Sequence, residues 1–146
     1  MRISLRLLDR VLAHAAQTYP AECCGLLVGR GSQVLAVEAA RNLRANDRDD
    51  RFEIDPMDHV RIFEAARAAG EDIIGCYHSH PDGYPGPSSI DRFLARSFGG
   101  PFGYLVVSIR QGWACQVYSG MITEGGQIIP IPLEFEVESQ EVRDGA

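Results

Sequence analysis

The chain has 146 residues, 45% of them hydrophobic and 23% charged, with a net charge of −6; this is the make-up of one globular domain, too short for two comfortable cores. No apolar run approaches the ~20 residues of a membrane helix, and Met1-Arg2-Ile3-Ser4-Leu5-Arg6 lacks the apolar core and cleavage site of a secretory signal, so a cytoplasmic home is expected. The acidic balance argues against uniform nucleic-acid binding, which leaves a basic footprint, and the 14 basic residues, all arginine, read as compositional bias.

Leu5, Leu8, Val11, Leu12 and Ala15 recur at helical spacing and predict a helix over 5–18, ended by Pro20. Cys24 to Gly29 reads as a buried strand, Gly31-Ser32 as a turn, and Val34 to Ala40 as the returning arm of a hairpin. Residues 41–51 are a polar, solvated loop, and Phe52-Glu53-Ile54 is a short strand. Asp55 can cap the next helix, Pro56 suits its first position, and Asp58 meets the positive end of its dipole. That helix is expected to reach about Ala69, with Gly70 past its end. Asp72 to Tyr77 is a buried strand, and His78 to Pro87, dense in Gly and Pro, a loop. Ser88 opens a third helix, to about Ser97. Gly103 to Ile109 and Trp113 to Met121 form a second hairpin around Arg110-Gln111-Gly112. Ile128 to Val137 is an edge segment, since Pro130 and Pro132 cannot donate to a central ladder. Residues 138–146 look like a frayed tail. Helices mixed with hairpins predict an α/β (α+β) domain over 1–137, with a mixed central sheet and flanking helices.

Cys23, Cys24, Cys76 and Cys115 are enough for two disulfides, but without a secretory signal reduced thiols are expected, and no Cys-x-x-Cys pair is present. Cys76 and Cys115 lie in apolar runs and read as small core residues. Core packing is also the reading for Cys23 and Cys24, ahead of ligation or nucleophilic catalysis. His14 and His59 have no partner at ligand spacing and read as structural or exposed. Trp113 reads as a core or hairpin residue.

The chemistry concentrates in His78-Ser79-His80-Pro81, followed by Ser88 and Asp91. At extended spacing, residues i and i+2 point to one side, so both imidazoles can face one ion. Asp91 falls on the first turn of the next helix, and the glycines and prolines of residues 81–87 suit a sharp, rigid return toward the histidines. Two imidazole nitrogens and one carboxylate oxygen leave a tetrahedral position open, as catalytic zinc requires. Iron(II) accepts the same set, so spacing alone does not name the metal. Ser88-x-x-Asp91 is at the same time an ordinary helix-capping pattern, and the two roles can coexist.

His78-Ser79-His80-Pro81, six residues, Ser88, two residues, Asp91 resembles the signature of the JAMM (MPN-type) metallopeptidases. Pro20-Ala21-Glu22-Cys23-Cys24-Gly25-Leu26-Leu27-Val28-Gly29 resembles that family's glutamate-bearing strand entry, and Phe52-Glu53-Ile54-Asp55-Pro56 is similar to its bacterial members. The resemblance spans roughly residues 4–119 and implies a compact single JAMM/MPN-like domain. It implies that His78, His80 and Asp91 hold Zn2+. Glu22, not itself a ligand, would act as general base and then acid, and Ser88 would donate to a tetrahedral oxyanion. The implied substrate is an amide or isopeptide bond at the C-terminus of a ubiquitin-like or sulfur-carrier protein, its tail ending in Gly-Gly. Residues 41–51 and 82–87 are candidate walls for that tail. The chain has no room for the long insertions with which eukaryotic relatives recognise ubiquitin chains. Two readings compete. A non-catalytic MPN scaffold is disfavoured because Glu22, His78, His80, Ser88 and Asp91 stand together. A RadC-like branch associated with DNA processing is disfavoured by the Pro20-to-Gly29 segment and the acidic charge. The sequence does not give the oligomeric state.

Overall fold

The computed structural model describes residues 1–45 and 52–136. In chain order the elements are β1 (Arg2–Ser4), α1 (Leu5–Thr18), β2 (Cys24–Arg30), β3 (Gln33–Ala40), α2 (Pro56–Ala68), β4 (Asp72–Pro81), α3 (Ser89–Ala95), β5 (Phe102–Arg110), β6 (Trp113–Ile122), β7 (Ile128–Pro130) and β8 (Glu134–Glu136). The strands make one mixed sheet in the order β7-β6-β5-β4-β2-β3-β1-β8. β4 pairs β5 in parallel, as β1 pairs β3 and β8, while the remaining pairs are antiparallel.

The two edges of this sheet come from one short stretch of chain. β7 forms one edge and β8 the other, with only residues 131–133 between them. An extended chain gains about 3.3–3.6 Å per residue, so the sheet must curl until its edges nearly meet. Ile131 N–H donates to Ser119 O on one side of the gap, and Glu134 N–H to Met1 O on the other.

Alternation along the strands gives the sheet two apolar faces, each covered by helix. Leu27, Tyr77, Leu105 and Val107 point to the face packed by α1. Leu26, Val28, Cys76 and Val106 point to the face that carries α2 and α3. α1 begins at Ser4, whose side chain accepts Leu7 N–H, and buries Leu7, Leu8, Val11 and Ala15; Leu7, Leu8 and Val11 each contribute roughly 1.5–3 kcal/mol by leaving water. Gly25 is required by contact rather than by its dihedrals: a Cβ there would lie 2.3 Å from the Tyr77 ring. α2 starts as its sequence predicts, with Asp55 accepting Met57 N–H and Pro56 in the first turn.

Several expectations need correction. β4 does not end at Tyr77. It runs through His78, Ser79 and His80 to Pro81 because β5 supplies a parallel partner for each of them. Residues 52–54 form no strand, and Ile54 makes only an isolated bridge to Asn42. The segment from Ile128 is not one edge strand but two, on opposite edges. β1 was not foreseen, and α3 stops at Ala95, short of Ser97. Leu5 is 58% exposed and Leu7 takes its place in the core, and Cys115 is exposed; of the two readings of Trp113 the hairpin one holds, since it pairs with Arg110 and is 77% exposed. Residues 46–51 of the polar loop, Val137 and the tail at 138–146 lie outside the described residues. Among those described, no helix is long and apolar enough to cross a membrane.

Candidate metal centre

Extension of β4 into the His-Ser-His segment builds the centre. Cys76, His78 and His80 alternate onto the face of the sheet that carries α2 and α3, with Tyr77 and Ser79 opposite. His78 is completely buried and His80 nearly so. α3 brings Asp91 to them. Ser88 Oγ accepts Asp91 N–H at 3.1 Å, and Ser88 N–H donates to Asp91 Oδ2 at 2.8 Å, a complete capping box. The cap therefore fixes the carboxylate that faces the histidines. Asp91 Oδ2 lies 3.3 Å from His78 Nε2 and 3.1 Å from His80 Nε2, and the two nitrogens are 3.1 Å apart. Glu22 enters from the start of β2, where Cys24 is the register partner of His78. Its Oε1 stands 3.8 Å from His78 Nε2.

His80 Nδ1 lies 2.8 Å from the Tyr84 carbonyl oxygen, which can only accept. That bond places the proton on Nδ1 and leaves the Nε2 lone pair facing the centre. His78 Nδ1 has no hydrogen-bond partner among the described residues; its ring is instead held by packing, stacked on Phe52 at 4.4 Å and edge-on to Tyr104 at 5.2 Å. Burial depresses the His78 pKa and favours the neutral ring. Burial also opposes charge on His80, but Asp91, the Tyr84 carbonyl and Glu22 outweigh it and raise the pKa. For Asp91, burial would raise the pKa, yet the hydrogen bonds from His78 and, once it is protonated at Nε2 as well, from His80 prevail and hold it well below the usual carboxylate range.

These donors suit a cation. Ligands at about 2.0–2.1 Å in tetrahedral directions stand about 3.3–3.4 Å from one another, close to the 3.1, 3.1 and 3.3 Å triangle of His78, His80 and Asp91. Without a cation, and with both rings neutral, a single proton on His78 Nε2 must serve both His80 Nε2 and Asp91. Glu22, His78 and His80 also bring ligand atoms within 4.8 Å of one another, so two carboxylates stand within reach of the pair, that of Asp91 nearer. The cysteines beside the centre are poor ligands: burial pushes the Cys23 thiol up to about 11 and Cys24 up to about 12.

Sequence reasoning missed four supports. Ser79 Oγ accepts Cys23 N–H at 2.9 Å and Ser79 N–H donates to Cys23 O at 3.2 Å, clamping the residue next to Glu22 onto β4. Asn42 Nδ2 donates to Glu22 O at 3.0 Å, while its Oδ1 accepts the N–H groups of Arg44 and Glu53. Phe52 and Tyr104 wedge His78. Ser79 stood inside the motif, but one asparagine in a polar loop carries no signal that it anchors a distant glutamate. His14 is structural, its Nδ1 2.8 Å from the Tyr77 hydroxyl, and His59 is exposed.

The chain is similar to known proteins over part or most of its length. It is 42% identical over 90 residues to a desampylase of Haloferax volcanii, an alignment covering 58% of this chain and 64% of that protein. It is 37% identical over 88 residues to the tail tip assembly protein K of Escherichia phage N15, covering 58% of this chain and 32% of that one. It thus spans less than two thirds of either relative. The solved structure of a protein from Desulfitobacterium hafniense superposes with a TM-score of 0.74 at 29% identity, covering 94% of both chains. A structure described as a JAMM metalloprotease-like zinc site in the proteasome and signalosome shares the fold, with a TM-score of 0.52 at 21% identity, covering 91% of this chain and 96% of that one. Residues 4–118 match the prokaryotic homologs of the JAB domain. With its mixed α/β architecture and the His-Ser-His strand at its centre, the chain belongs to that family as a compact prokaryotic protein of JAMM/MPN type.

Proposed function

We propose that the chain is a zinc-dependent JAMM-type peptidase that hydrolyses an amide or isopeptide bond at the C-terminus of a ubiquitin-like protein, sulfur carriers among them, in the cytoplasm. The observation that carries this reading is the buried triangle of His78 Nε2, His80 Nε2 and Asp91 Oδ2 with the Glu22 carboxylate beside it. The desampylase name of the Haloferax volcanii relative supports the substrate class, and the zinc site described for the solved JAMM structure supports the metal.

In this reading His78, His80 and Asp91 are the ligands. A zinc ion held there would supply a Lewis acid and a water of lowered pKa, about 7. Glu22 stands outside the triangle, takes a proton from the attacking water and returns it to the leaving amine. Its backbone carbonyl is held by Asn42, so the carboxylate swings from a fixed point. Ser88 Oγ spends a lone pair on Asp91 N–H, and as a hydroxyl it keeps one proton to donate to the oxyanion. Of the expected walls at 41–51 and 82–87, the turn after β4 stands beside the centre through the Tyr84 carbonyl on His80, and Phe52, next to the first loop, is stacked on His78; an extended tail would run between them.

The test is incubation of zinc-loaded protein with ubiquitin-like carriers bearing C-terminal extensions, with mass spectrometry locating the cut. Cleavage after the carrier's terminal glycine is expected. Glu22→Gln should keep its zinc and lose about 10²–10⁴ in rate; full activity in that variant would overturn the role of Glu22.

A further inference from the structure

Asp82 is the first residue beyond β4, two positions after His80, and it fastens three elements at once. Its N–H donates to Ile109 O at 2.6 Å, continuing the pairing of β4 with β5. One carboxylate oxygen accepts a short hydrogen bond from the hydroxyl of Tyr19, the C-terminal cap of α1. The other accepts Gln111 N–H at 2.9 Å, in the turn between β5 and β6. Asp82 (φ 53°) and Gln111 (φ 51°) are the non-glycine residues with positive φ among those described, and they are bonded to each other. Such a conformation is unfavourable for most side chains, and two of them joined by one bond mark a point the surrounding structure holds fast.

What this clamp holds lies two residues on. The Tyr84 carbonyl accepts from His80 Nδ1 at 2.8 Å and from Gly86 N–H at 3.0 Å. Between Asp82 and Tyr84 there is only Gly83, whose N–H turns back toward His80 O at 3.4 Å. Gly83 lies close against His80, where an added Cβ would stand 3.3 Å from His80 Cβ, so the turn from Asp82 to Tyr84 is short and tightly packed on the histidine it serves. We infer that Asp82 is a positioning residue of the metal centre: by tying the start of this turn to α1 and to the β5–β6 turn, it places the Tyr84 carbonyl that keeps the His80 proton on Nδ1 and its Nε2 lone pair directed at Asp91 and His78. The inference rests on the proposed metal reading but not on the proposed substrate.

The test compares wild type with Asp82→Ala, Asp82→Asn and Tyr19→Phe. Zinc affinity is measured by competition with a chelator, and the tautomer of His80 by nitrogen NMR of the metal-free protein. Loss of a partner that orients a histidine ligand costs about 10–100-fold in metal affinity, and that loss is expected for Asp82→Ala, with His80 divided between tautomers. Asp82→Asn keeps an acceptor for Gln111 N–H and tolerates positive φ, so it should recover most of the affinity. Tyr19→Phe should weaken binding several-fold while leaving the fold intact, and it carries the test if Asp82→Ala does not fold. Wild-type affinity and an unchanged His80 tautomer in Asp82→Ala and Tyr19→Phe would overturn the inference. A lowered melting temperature with unmoved His80 signals would reduce Asp82 to a structural clamp and overturn it equally. Failure of the wild type to bind zinc would instead remove the metal reading, and the tautomer measurement would still decide the role of Asp82.

Discussion

Ser88 holds two positions at once, as the cap of α3 and as the proposed donor to the oxyanion, and substitution separates them. Ser88→Ala removes the acceptor of Asp91 N–H at 3.1 Å but keeps the main-chain bond from Ser88 N–H to Asp91 Oδ2 at 2.8 Å. Losing a serine cap to alanine costs about 1 kcal/mol, whereas glycine at a cap costs only a few tenths. For a chain of this size 1 kcal/mol corresponds to about 2–4 °C in Tm, so Ser88→Ala should melt a few degrees low and Ser88→Gly close to wild type. Catalysis should not follow that order. Both variants lack the hydroxyl, and removing one oxyanion donor costs about 10²–10³ in kcat, or about 2.7–4 kcal/mol of barrier. Ser88→Thr keeps cap and donor and should retain most of the rate. The assay pairs thermal melts with kcat and KM for carrier-tail cleavage. A Ser88→Gly variant with wild-type stability and wild-type kcat would show that Ser88 is only a cap.

Two further outcomes follow from the contacts around the centre. The pH dependences of stability and of zinc binding should oppose one another: with a raised pKa, His80 stabilises the metal-free fold fully below its unfolded value near 6.5, and that contribution fades as pH rises through its folded pKa. Zinc competes with the proton at Nε2, so its affinity should climb over the same interval; melts and chelator titrations from pH 6 to 8 check both slopes, and parallel slopes would contradict the assignment. Asn42→Ala should cost about 1 kcal/mol, because solvent can reach the half-exposed groups it releases, and should lower kcat far more than zinc affinity, since its amide holds Glu22 rather than a ligand; thermal melts, kcat and metal titration together test that split.

The parts of the fold visible in the sequence are those decided locally. α2 declared itself through Asp55, Pro56 and Asp58, and its cap has the expected form. The β5–β6 hairpin was marked by its Gln111-Gly112 turn. What stayed hidden depends on partners distant in sequence. His78 to Pro81 reads as loop beside so many glycines and prolines, yet β5 pairs with it residue by residue some 28 positions later. β1 is three residues long and exists because β3 and β8 flank it. The proline-punctuated segment after Ile128 reads correctly as edge structure, but only sheet curl decides that it serves both edges. Cys115 looked like core because its neighbours are apolar; on β6 it lies where burial has given way to solvent. In the centre, residue types and spacing pointed to His78, His80 and Asp91, while Glu22 and Ser88 stood out only through the family resemblance; the fold brings all five together. The residues that orient them, Asn42, Phe52, Ser79 and the Tyr84 carbonyl, act through geometry that spacing does not encode.

The central claim is that His78, His80 and Asp91 together hold one zinc ion with Glu22 outside the coordination shell. Anomalous diffraction at the zinc edge from crystals of the zinc-loaded protein tests it most directly. The account predicts one peak per chain, about 2.0–2.2 Å from His78 Nε2, His80 Nε2 and an Asp91 carboxylate oxygen, with the Glu22 carboxylate beyond bonding distance. A zinc ion bound by Glu22 in place of Asp91, or by a cysteine sulfur, would contradict it.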